Sequence, residues 1–149
     1  KFLKVWDLPG GALAKSFEGH TQHVLDVGWT PDGKRLVTAG ADAEVKVWDY
    51  EKGEKLKDVK AHAKQVTRLA FVGKTPTFLT AGGDGAVRLF TADGGQVRQF
   101  GDGKDFVYAV SAGPDGAVVA AGGEDGVVRL YNGATGQLVK ALLPPGAGR

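Results

Sequence analysis

Val45-Lys46-Val47-Trp48-Asp49 is the stretch that decides the fold, because related stretches recur along the whole chain. The counterparts are Leu3-Lys4-Val5-Trp6-Asp7, Val87-Arg88-Leu89-Phe90-Thr91 and Val128-Arg129-Leu130-Tyr131-Asn132. Their aromatic residues stand 42, 42 and 41 residues apart. A fixed period near forty residues predicts an array of one small structural unit that packs against its own copies.

Each period contains four short runs of β-forming residues. In the first complete period they cover 24–29, 35–38, 45–48 and 55–59, with Pro- and Gly-containing turns between them. The first three runs are apolar, whereas the fourth alternates charged and apolar residues, as an exposed outer strand does. The later runs are 66–71, 77–80, 87–90, 97–100, 107–112, 117–121, 128–131 and 138–142. The pattern predicts an all-β chain built from units of four antiparallel strands, without a helix.

The composition excludes several classes of function. Of the 149 residues, 42% are hydrophobic and 24% are charged, which is typical of a globular protein. A net charge of +2 is too small to indicate a nucleic-acid or membrane partner. The chain has no cysteine, which excludes disulfides, thiolate catalysis and cysteine-based zinc sites. No apolar run approaches the length of a membrane span, and the compartment stays open.

Four motifs recur in order and in phase. In the first complete period they are Gly19-His20, Trp29-Thr30-Pro31-Asp32-Gly33-Lys34, Thr38-Ala39-Gly40-Ala41-Asp42 and Val47-Trp48-Asp49. On these motifs the chain resembles the WD-repeat β-propeller family over nearly its whole length. The resemblance implies β-propeller blades of four antiparallel strands and a partial (half) propeller. The expected segments are the outer half of an incomplete blade at 1–18, three blades at 19–60, 61–101 and 102–143, and a tail at 144–149.

The resemblance also implies a hydrogen-bonded tetrad in each blade. The first complete blade has all four members, namely His20, Thr38, Asp42 and Trp48. The second blade keeps His62, Thr80 and Asp84 but has Phe90 at the tryptophan position. In the third blade only Asp125 remains, with Gly103 near the histidine position, Ala121 for threonine and Tyr131 for tryptophan. We therefore expect the polar reinforcement to weaken from the first blade to the third.

The sequence offers no constellation for catalysis or metal binding. His20 and His23 form a His-x-x-His pair, and His62 is the remaining histidine, whereas a metal site needs three or four converging ligands. Neither Ser16 nor Ser111 stands in a nucleophile motif. We expect no catalytic residue, no metal and no cofactor. The cations Lys4, Lys46, Arg88 and Arg129 are interpreted as packing their stems on the blades with their charged ends in water; an anion-binding track is the alternative.

The loops that enter each inner strand carry residues that the repeat does not explain. The candidate partner-binding residues are Gln22, His23, Lys64, Gln65, Lys104, Asp105 and Phe106. Phe106 is either a core residue displaced by one position or an exposed anchor for a partner. Aromatic anchors on loops of a rigid scaffold are typical of binding surfaces.

Two functions from different classes fit these observations. The first is a non-catalytic protein-interaction scaffold, a C-terminal part of a WD-repeat propeller that presents loops to a protein or peptide. The alternative is an accessory propeller domain of a larger bacterial enzyme or redox protein, whose active domain lies outside this chain. In either case the strand at 2–8 lacks an inner neighbour and two blade faces stay open. We expect the remaining half of the propeller, from the same gene product or a partner chain, to cover them.

Overall fold

The computed structural model describes residues 1–101 and 104–147. Within these ranges every regular element is a strand, so the prediction of an all-β fold is confirmed. The strands are β1 (Phe2–Trp6), β2 (Leu13–Glu18), β3 (Val24–Trp29), β4 (Arg35–Gly40), β5 (Glu44–Asp49), β6 (Glu54–Lys60), β7 (Val66–Phe71), β8 (Thr77–Gly82), β9 (Val87–Thr91), β10 (Gln96–Phe100), β11 (Val107–Ala112), β12 (Val118–Gly123), β13 (Val128–Asn132) and β14 (Leu138–Leu142).

The strands form one pair and three four-stranded antiparallel sheets. We call β1 and β2 the outer pair, β3–β6 the first blade, β7–β10 the second blade and β11–β14 the third blade. Within each blade the strands are hydrogen-bonded in chain order. Successive blades contact each other through their first strands, β3 with β7 and β7 with β11. The blades therefore stack face to face with their first strands innermost, as in part of a propeller.

The turns follow the residues that favour them, with one exception. Gly85 and Gly126 have positive φ angles of 83° and 73° in the turns between the second and third strands of their blades. The same position in the first blade is Ala43, with a φ of 67°. A β-carbon is strained in this left-handed region, whereas glycine is not. The first blade thus carries a local backbone cost that the other two avoid.

Strand β1 is shorter than the sequence predicts. The expected strand reached Leu8, but β1 ends at Trp6 because the chain turns there. The Asp7 N–H donates to the Ala12 carbonyl at 2.8 Å, and the Gly11 N–H donates to the Asp7 carbonyl at 2.8 Å. These two bonds close a tight connection to β2.

Apolar side chains fill the space between neighbouring blades. The layer between the first and second blades contains Val37, Val45, Val47, Leu69, Phe78 and Phe90. The layer between the second and third blades contains Leu79, Val87, Phe100, Val110, Val119 and Tyr131. A smaller cluster joins the outer pair to the first blade through Leu3, Phe17, Leu36 and Trp48. Burial of these faces is the main force that holds successive blades together.

Two blade faces remain open. On the first blade, Val27 and Trp29 are 44% and 42% exposed, whereas the counterpart of Val27 in the second blade, Leu69, is 7% exposed. On the far face of the third blade, Val128 and Leu142 are 42% and 43% exposed. The same positions that form the core between blades therefore meet solvent at both ends of the stack.

Candidate functional site

The four tetrad positions of the first blade form one continuous chain of hydrogen bonds. The Trp48 indole N–H donates to Thr38 Oγ1 at 2.9 Å. The Thr38 hydroxyl then donates to His20 Nε2 at 2.8 Å, and His20 Nδ1–H donates to Asp42 Oδ1 at 2.9 Å. This order gives every bond one donor and one acceptor only when the proton of the neutral imidazole sits on Nδ1. The chain links the turn that holds Asp42 to the third strand of the same blade.

Asp42 is the charged end of this chain. Burial of its carboxyl opposes ionisation, but hydrogen bonds from His20 and from the backbone N–H of Thr21 outweigh that cost and lower its pKa. The Thr21 N–H lies 2.9 Å from Asp42 Oδ2. Asp42 also accepts a longer bond of 3.4 Å from the backbone N–H of Glu44. The Asp42 carboxylate therefore joins the loop before β3 to the turn between β4 and β5.

The cation of the first blade is buried beside this chain rather than hydrated. The Lys46 side chain is 4% exposed, and its Nζ lies 2.5 Å from Glu44 and 2.6 Å from Asp58. Burial disfavours its charge, but the two carboxylates outweigh burial and raise the pKa of Lys46. The interpretation that this charged end reaches water is therefore wrong. An acidic residue directly opposite on β6, Asp58, explains why.

The second blade keeps three tetrad members and adds a cation. His62 Nε2 lies 2.8 Å from Thr80 Oγ1, and His62 Nδ1 lies 2.8 Å from Asp84 Oδ1. The Phe90 ring offers no donor and instead stacks on Phe78, with centroids 5.8 Å apart. No buried side-chain nitrogen or oxygen among the described residues lacks a partner. The loss of the indole therefore shortens the chain without leaving an orphaned atom.

Arg88 joins the polar chain of its own blade, whereas Lys46 pairs with carboxylates outside the polar chain of the first blade. Its Nη1 lies 2.9 Å from Asp84 Oδ2 and 2.5 Å from His62 Nδ1. The residue opposite Arg88 on β10 is the uncharged Gln99, and among the described residues the carboxylate that pairs with Arg88 is Asp84. Burial, aided by Arg88 and opposed by Asp84, lowers the pKa of His62. Burial opposes ionisation of Asp84, but bonds from the Ala63 N–H, His62 and Arg88 outweigh it and lower its pKa strongly.

Within the part of the third blade that the structure describes, the aspartate of the polar chain and its neighbouring cation are retained. Asp125 accepts a hydrogen bond of 3.0 Å from the backbone N–H of Val127, which spans the turn as Asp42 and Asp84 do in theirs. Its other oxygen pairs with Arg129. These two interactions lower the pKa of Asp125. Gly103, which the sequence places near the histidine position, lies outside the described residues.

A small cavity accompanies the missing side chains. It has a volume of about 20 Å³ and is lined in part by Ala121, Arg129 and Tyr131. That volume is about what one water molecule requires. Ala121 and Tyr131 stand at the threonine and tryptophan positions of the complete tetrad, so the third blade is less tightly filled at the point where the first blade has its polar chain.

The candidate partner-binding residues lie on one rim of the blades. His23, Gln65 and Phe106 hold equivalent backbone positions, because their carbonyls accept bonds of 2.8, 2.9 and 2.8 Å from the N–H groups of corresponding turns. We call these candidate residues, together with Tyr108, the loop rim. Phe106 is half-buried, and the other candidates are exposed, namely Gln22, His23, Lys64, Gln65, Lys104 and Asp105.

Phe106 is in register with its counterparts, so it is not a core residue displaced by one position. Its ring lies on the second blade, where a β-carbon at Gly83 would come within 2.6 Å of it. On the other side it meets Tyr108, with ring centroids 4.8 Å apart. Tyr108 is 53% exposed. The two rings form an aromatic pair in which Phe106 packs on the second blade and Tyr108 is open to solvent.

Sequence reasoning missed Tyr108 because it counted the residue as part of a regular strand. Register shifts follow the first residue of each inner strand, at Val24, Val66 and Val107. Such a bulge re-aims a side chain. At these positions the chain has Leu25, Thr67 and Tyr108, two of which are exposed. The signal that could have found them is the slip in apolar alternation at the start of β3 and β11.

The described residues contain no group of three or more His, Asp or Glu side chains placed to hold a metal ion. None of them lies in a helix long and apolar enough to cross a membrane. The His20–His23 spacing has an explanation in the fold, since His20 is buried in the polar chain while His23 is exposed on the loop rim.

A family model described as "WD domain, G-beta repeat" matches residues 11–49, 53–91 and 94–132. The chain belongs to the WD-repeat family. Each matched WD repeat begins on the outermost strand of one sheet and ends on the third strand of the next, as residues 11–49 cover β2 to β5. Every sequence repeat therefore ties two neighbouring sheets together by covalent connection.

Several curated relatives match the chain over a stretch about as long as one repeat. Over 43 residues, or 29% of the chain, it is 37% identical to coronin-7 of Mus musculus and 42% identical to nuclear distribution protein PAC1 of Arthroderma otae. It is 40% identical over the same length to an uncharacterised WD repeat-containing protein of Schizosaccharomyces pombe. The matches span 5%, 9% and 11% of the lengths of these relatives. They support the fold of one repeat.

Proposed function

We propose that this chain is a non-catalytic interaction scaffold whose loop rim binds a protein or peptide. WD repeats generally mediate protein–protein interaction, and WD-repeat proteins are generally scaffolds without catalysis of their own. The observation that carries the proposal is the Phe106–Tyr108 pair. Large aromatic side chains that pack on the protein on one side and are open to solvent on the other usually contribute most of the binding energy of an interface.

The surroundings of the pair indicate what it would bind. Lys64 and Gln65 are exposed on the second blade, and Lys104 and Asp105 precede Phe106 on the third. Rims of mixed charge around an aromatic centre suit an extended segment that places one apolar side chain on the rings. Its polar groups would then meet the loop residues. We therefore propose a peptide segment with an apolar anchor as the ligand.

Selection from a random peptide library on the immobilised chain tests this directly. Peptides recovered on the wild type are measured by calorimetry against a double variant, Phe106→Ser with Tyr108→Ser. The matched control is Lys34→Ser with Lys74→Ser, which changes two exposed residues in the turns at the opposite ends of the inner strands. We expect a loss of at least about tenfold in affinity for the aromatic variant and none for the control. Equal affinity for all three proteins, or no recovered peptide, would contradict the proposal.

We also propose that further blades, from the same gene product or a partner chain, cover the two open faces. The support is the exposure of apolar residues at both ends of the stack, including Trp29, Val128 and Leu142. Monomeric proteins rarely leave contiguous apolar faces of several hundred Å² in water. The isolated chain should therefore bind an apolar dye and associate at high concentration. A folded monomer of 15.5 kDa by light scattering, with no dye binding, would refute this proposal.

A further inference from the structure

A groove lies between the first and second blades, on the rim opposite the loop rim. It consists of two adjoining clefts of about 370 Å³ and about 210 Å³, which share Arg35, Ala92 and Asp93. The larger cleft is bounded by the turns at 30–34 and 72–76, and the smaller cleft extends to the outer strand of the first blade. We call the two clefts together the interblade groove.

Apolar side chains form the floor of the interblade groove and part of its walls. Val47 and Ala92 are buried beneath it. The exposed Pro31 and Pro76 line the larger cleft, and the exposed Leu56 lines the smaller one. An aliphatic side chain of a ligand would therefore exchange water for apolar surface here.

The charges around the interblade groove favour an anionic ligand. Its lining contains three cations, Arg35, Lys57 and Lys74, and two carboxylates, Asp32 and Asp93. Lys57 and Lys74 are exposed, and neither forms an ion pair with any described residue. The excess of positive charge therefore lies on side chains that a ligand can reach.

Both carboxylates of the groove are already engaged by the protein. Asp32 Oδ1 accepts the Thr30 hydroxyl at 2.6 Å and the Lys34 N–H at 3.0 Å. These two bonds lower the pKa of Asp32 and keep its Oδ1 directed at its own turn. Asp93 Oδ1 accepts from Arg35 Nη1 at 2.8 Å, across the boundary between the blades. The repulsion that an acidic ligand would meet is thereby reduced.

Arg35 is the side chain best placed to anchor an acidic ligand. Its side chain is 38% exposed and that of Asp93 is 84% exposed, and such an open ion pair contributes little to stability. Asp93 uses Nη1, so Nε and Nη2 can donate to a second carboxylate in the fork geometry that arginine offers. Binding of a ligand therefore does not require the ion pair between the blades to break.

The corresponding place between the second and third blades is closed. Gly73 lies so close to the Pro114 carbonyl that a β-carbon on it would overlap the oxygen. Thr77 stands at the position of Arg35, so the cation is absent as well. The interblade groove and its cation are therefore not explained as parts of the structure that all blades share.

We propose that the interblade groove binds an acidic peptide segment in an extended conformation, with a carboxylate on Arg35 and a neighbouring apolar side chain on Ala92 and Leu56. One lysine in each cleft adds attraction along the segment. A nucleic acid fits less well, because two carboxylates would face its closely spaced phosphates and the apolar floor would face its polar backbone. This second binding surface goes beyond the function proposed for the loop rim.

Peptide arrays with a fixed central residue test this proposal. One array carries Glu at the centre with varied residues around it, and the matched array carries Gln at the centre. The tightest peptides of the Glu array are then titrated against the 149-residue chain by fluorescence anisotropy. We expect each Glu peptide to bind at least about tenfold more tightly than its Gln counterpart, because the counterpart lacks the charge-assisted pair with Arg35. Its binding should also weaken as salt is raised.

Two substitutions within one ion pair separate binding from stability. Arg35→Gln should weaken binding of the Glu peptides at least about tenfold, whereas Asp93→Asn should tighten it about threefold, because a competing carboxylate is removed. An ion pair that serves only the contact between blades would make both substitutions act in the same direction. Lys52→Gln is the matched control, since this exposed lysine of the first blade lies outside the groove, and it should change the affinity little.

Three results would overturn the groove as a site for acidic peptides. They are equal affinity of the Glu and Gln peptides, absence of saturable binding, and a loss of affinity with both Arg35→Gln and Asp93→Asn. Displacement of the Glu peptide by an equal concentration of a short single-stranded oligonucleotide would assign the groove to nucleic acid and would also overturn the proposal.

The interblade groove and the loop rim are distinguished by the same variants. Phe106→Ser with Tyr108→Ser should leave the affinity for the Glu peptides unchanged, and a loss there would place their binding on the loop rim. Because Lys74 lines the groove, a library peptide that loses affinity with Lys34→Ser and Lys74→Ser, but not with the aromatic variant, would be a ligand of the groove. Failure of either site therefore leaves the other one standing.

Discussion

The first and third blades have the same four strands and the same aspartate in the turn between the second and third strands. They differ in the side chains that fill the blade at the threonine position. In the first blade Thr38 is fully buried and is bonded on two sides, to Trp48 and to His20. In the third blade the same position is Ala121, and a cavity of about 20 Å³ lies beside it. The comparison teaches that the apolar pattern and the turns suffice to form a blade. We expect the polar chain to determine how tightly the strands are held.

The second blade shows an intermediate solution. It lacks the indole donor, yet Arg88 joins Asp84 and His62 from the same strand that carries Phe90. In the first blade, Lys46 pairs with Asp58 and Glu44 instead. The second blade has neither carboxylate, because Ala86 and Gln99 stand at the positions of Glu44 and Asp58, and its cation joins the polar chain instead.

The largest expected difference between blades is at the aspartates. Asp42→Ala removes the acceptor for His20 and for the Thr21 and Glu44 N–H groups. Leaving these donors without their acceptor costs about 3 kcal/mol. Asp125→Ala in the third blade should cost clearly less, because among the described residues one backbone N–H and a partly exposed arginine lose their partner. Urea denaturation of both variants measures the free energies of unfolding, and equal losses would contradict the comparison.

Trp48→Phe makes the first blade resemble the second. The substitution removes the donor to Thr38 and should lower the free energy of unfolding by about 1–2 kcal/mol. In a Thr38→Val background the same change should cost about 1 kcal/mol less, since its partner is already gone. A double-mutant cycle by urea denaturation gives this difference. Additive effects of the two substitutions would show that the bond between them contributes nothing.

The second blade should be the one that responds to mild acid. Burial and Arg88 lower the pKa of His62 below its ordinary value of 6.5. The folded state then binds the proton less readily than the unfolded chain. This contribution to stability is complete above pH 6.5 and is lost as the pH falls through the lower folded pKa. The free energy of unfolding should decrease from about pH 8 to about pH 5.5, by about 1.4 kcal/mol for each unit of pKa difference.

Arg88→Met isolates this response, because His20 and His23 are the same in both proteins. Without the cation the folded pKa of His62 should move closer to 6.5, so the decrease between the two pH values should become smaller. A pH dependence that is unchanged by the substitution would place its origin elsewhere.

The smallest effect concerns the turn of the first blade. Ala43 has a φ of 67°, where the other blades have glycine. Ala43→Gly should raise the free energy of unfolding by up to about 1 kcal/mol, because relief of backbone strain outweighs the added freedom of the unfolded chain. Gly85→Ala and Gly126→Ala are the matched controls and should lower it. Thermal denaturation measures all three, and a loss on Ala43→Gly would show that the turn is not strained.

Much of the fold could be predicted from the sequence, since the period of the aromatic residues and the apolar runs mark all fourteen strands. The positions of His20, Thr38, Asp42 and Trp48 could be carried over from the family pattern. The pairing partners of Lys46, Arg88 and Arg129 could not be predicted, because they depend on which neighbouring residues, on the same strand and on the outer strand, are acidic. The pairing across strands is set by the register between the third and outer strands of each blade, which cannot be read from the sequence. The exposure of Tyr108 depends on a bulge in β11, and the pairing of Arg35 with Asp93 depends on how two blades meet.

Amide hydrogen exchange on the wild type and on Thr38→Val tests the central claim most directly. The claim is that the polar chain, and not apolar packing alone, holds the strands of the first blade more tightly than those of the third. In the wild type, the amides of β4 and β5 should exchange more slowly than those of β12 and β13. In Thr38→Val, which keeps the shape of the side chain, protection of β4 and β5 should fall by about tenfold, while β12 and β13 stay unchanged. Equal protection of β4 and β5 in the two proteins would contradict the account.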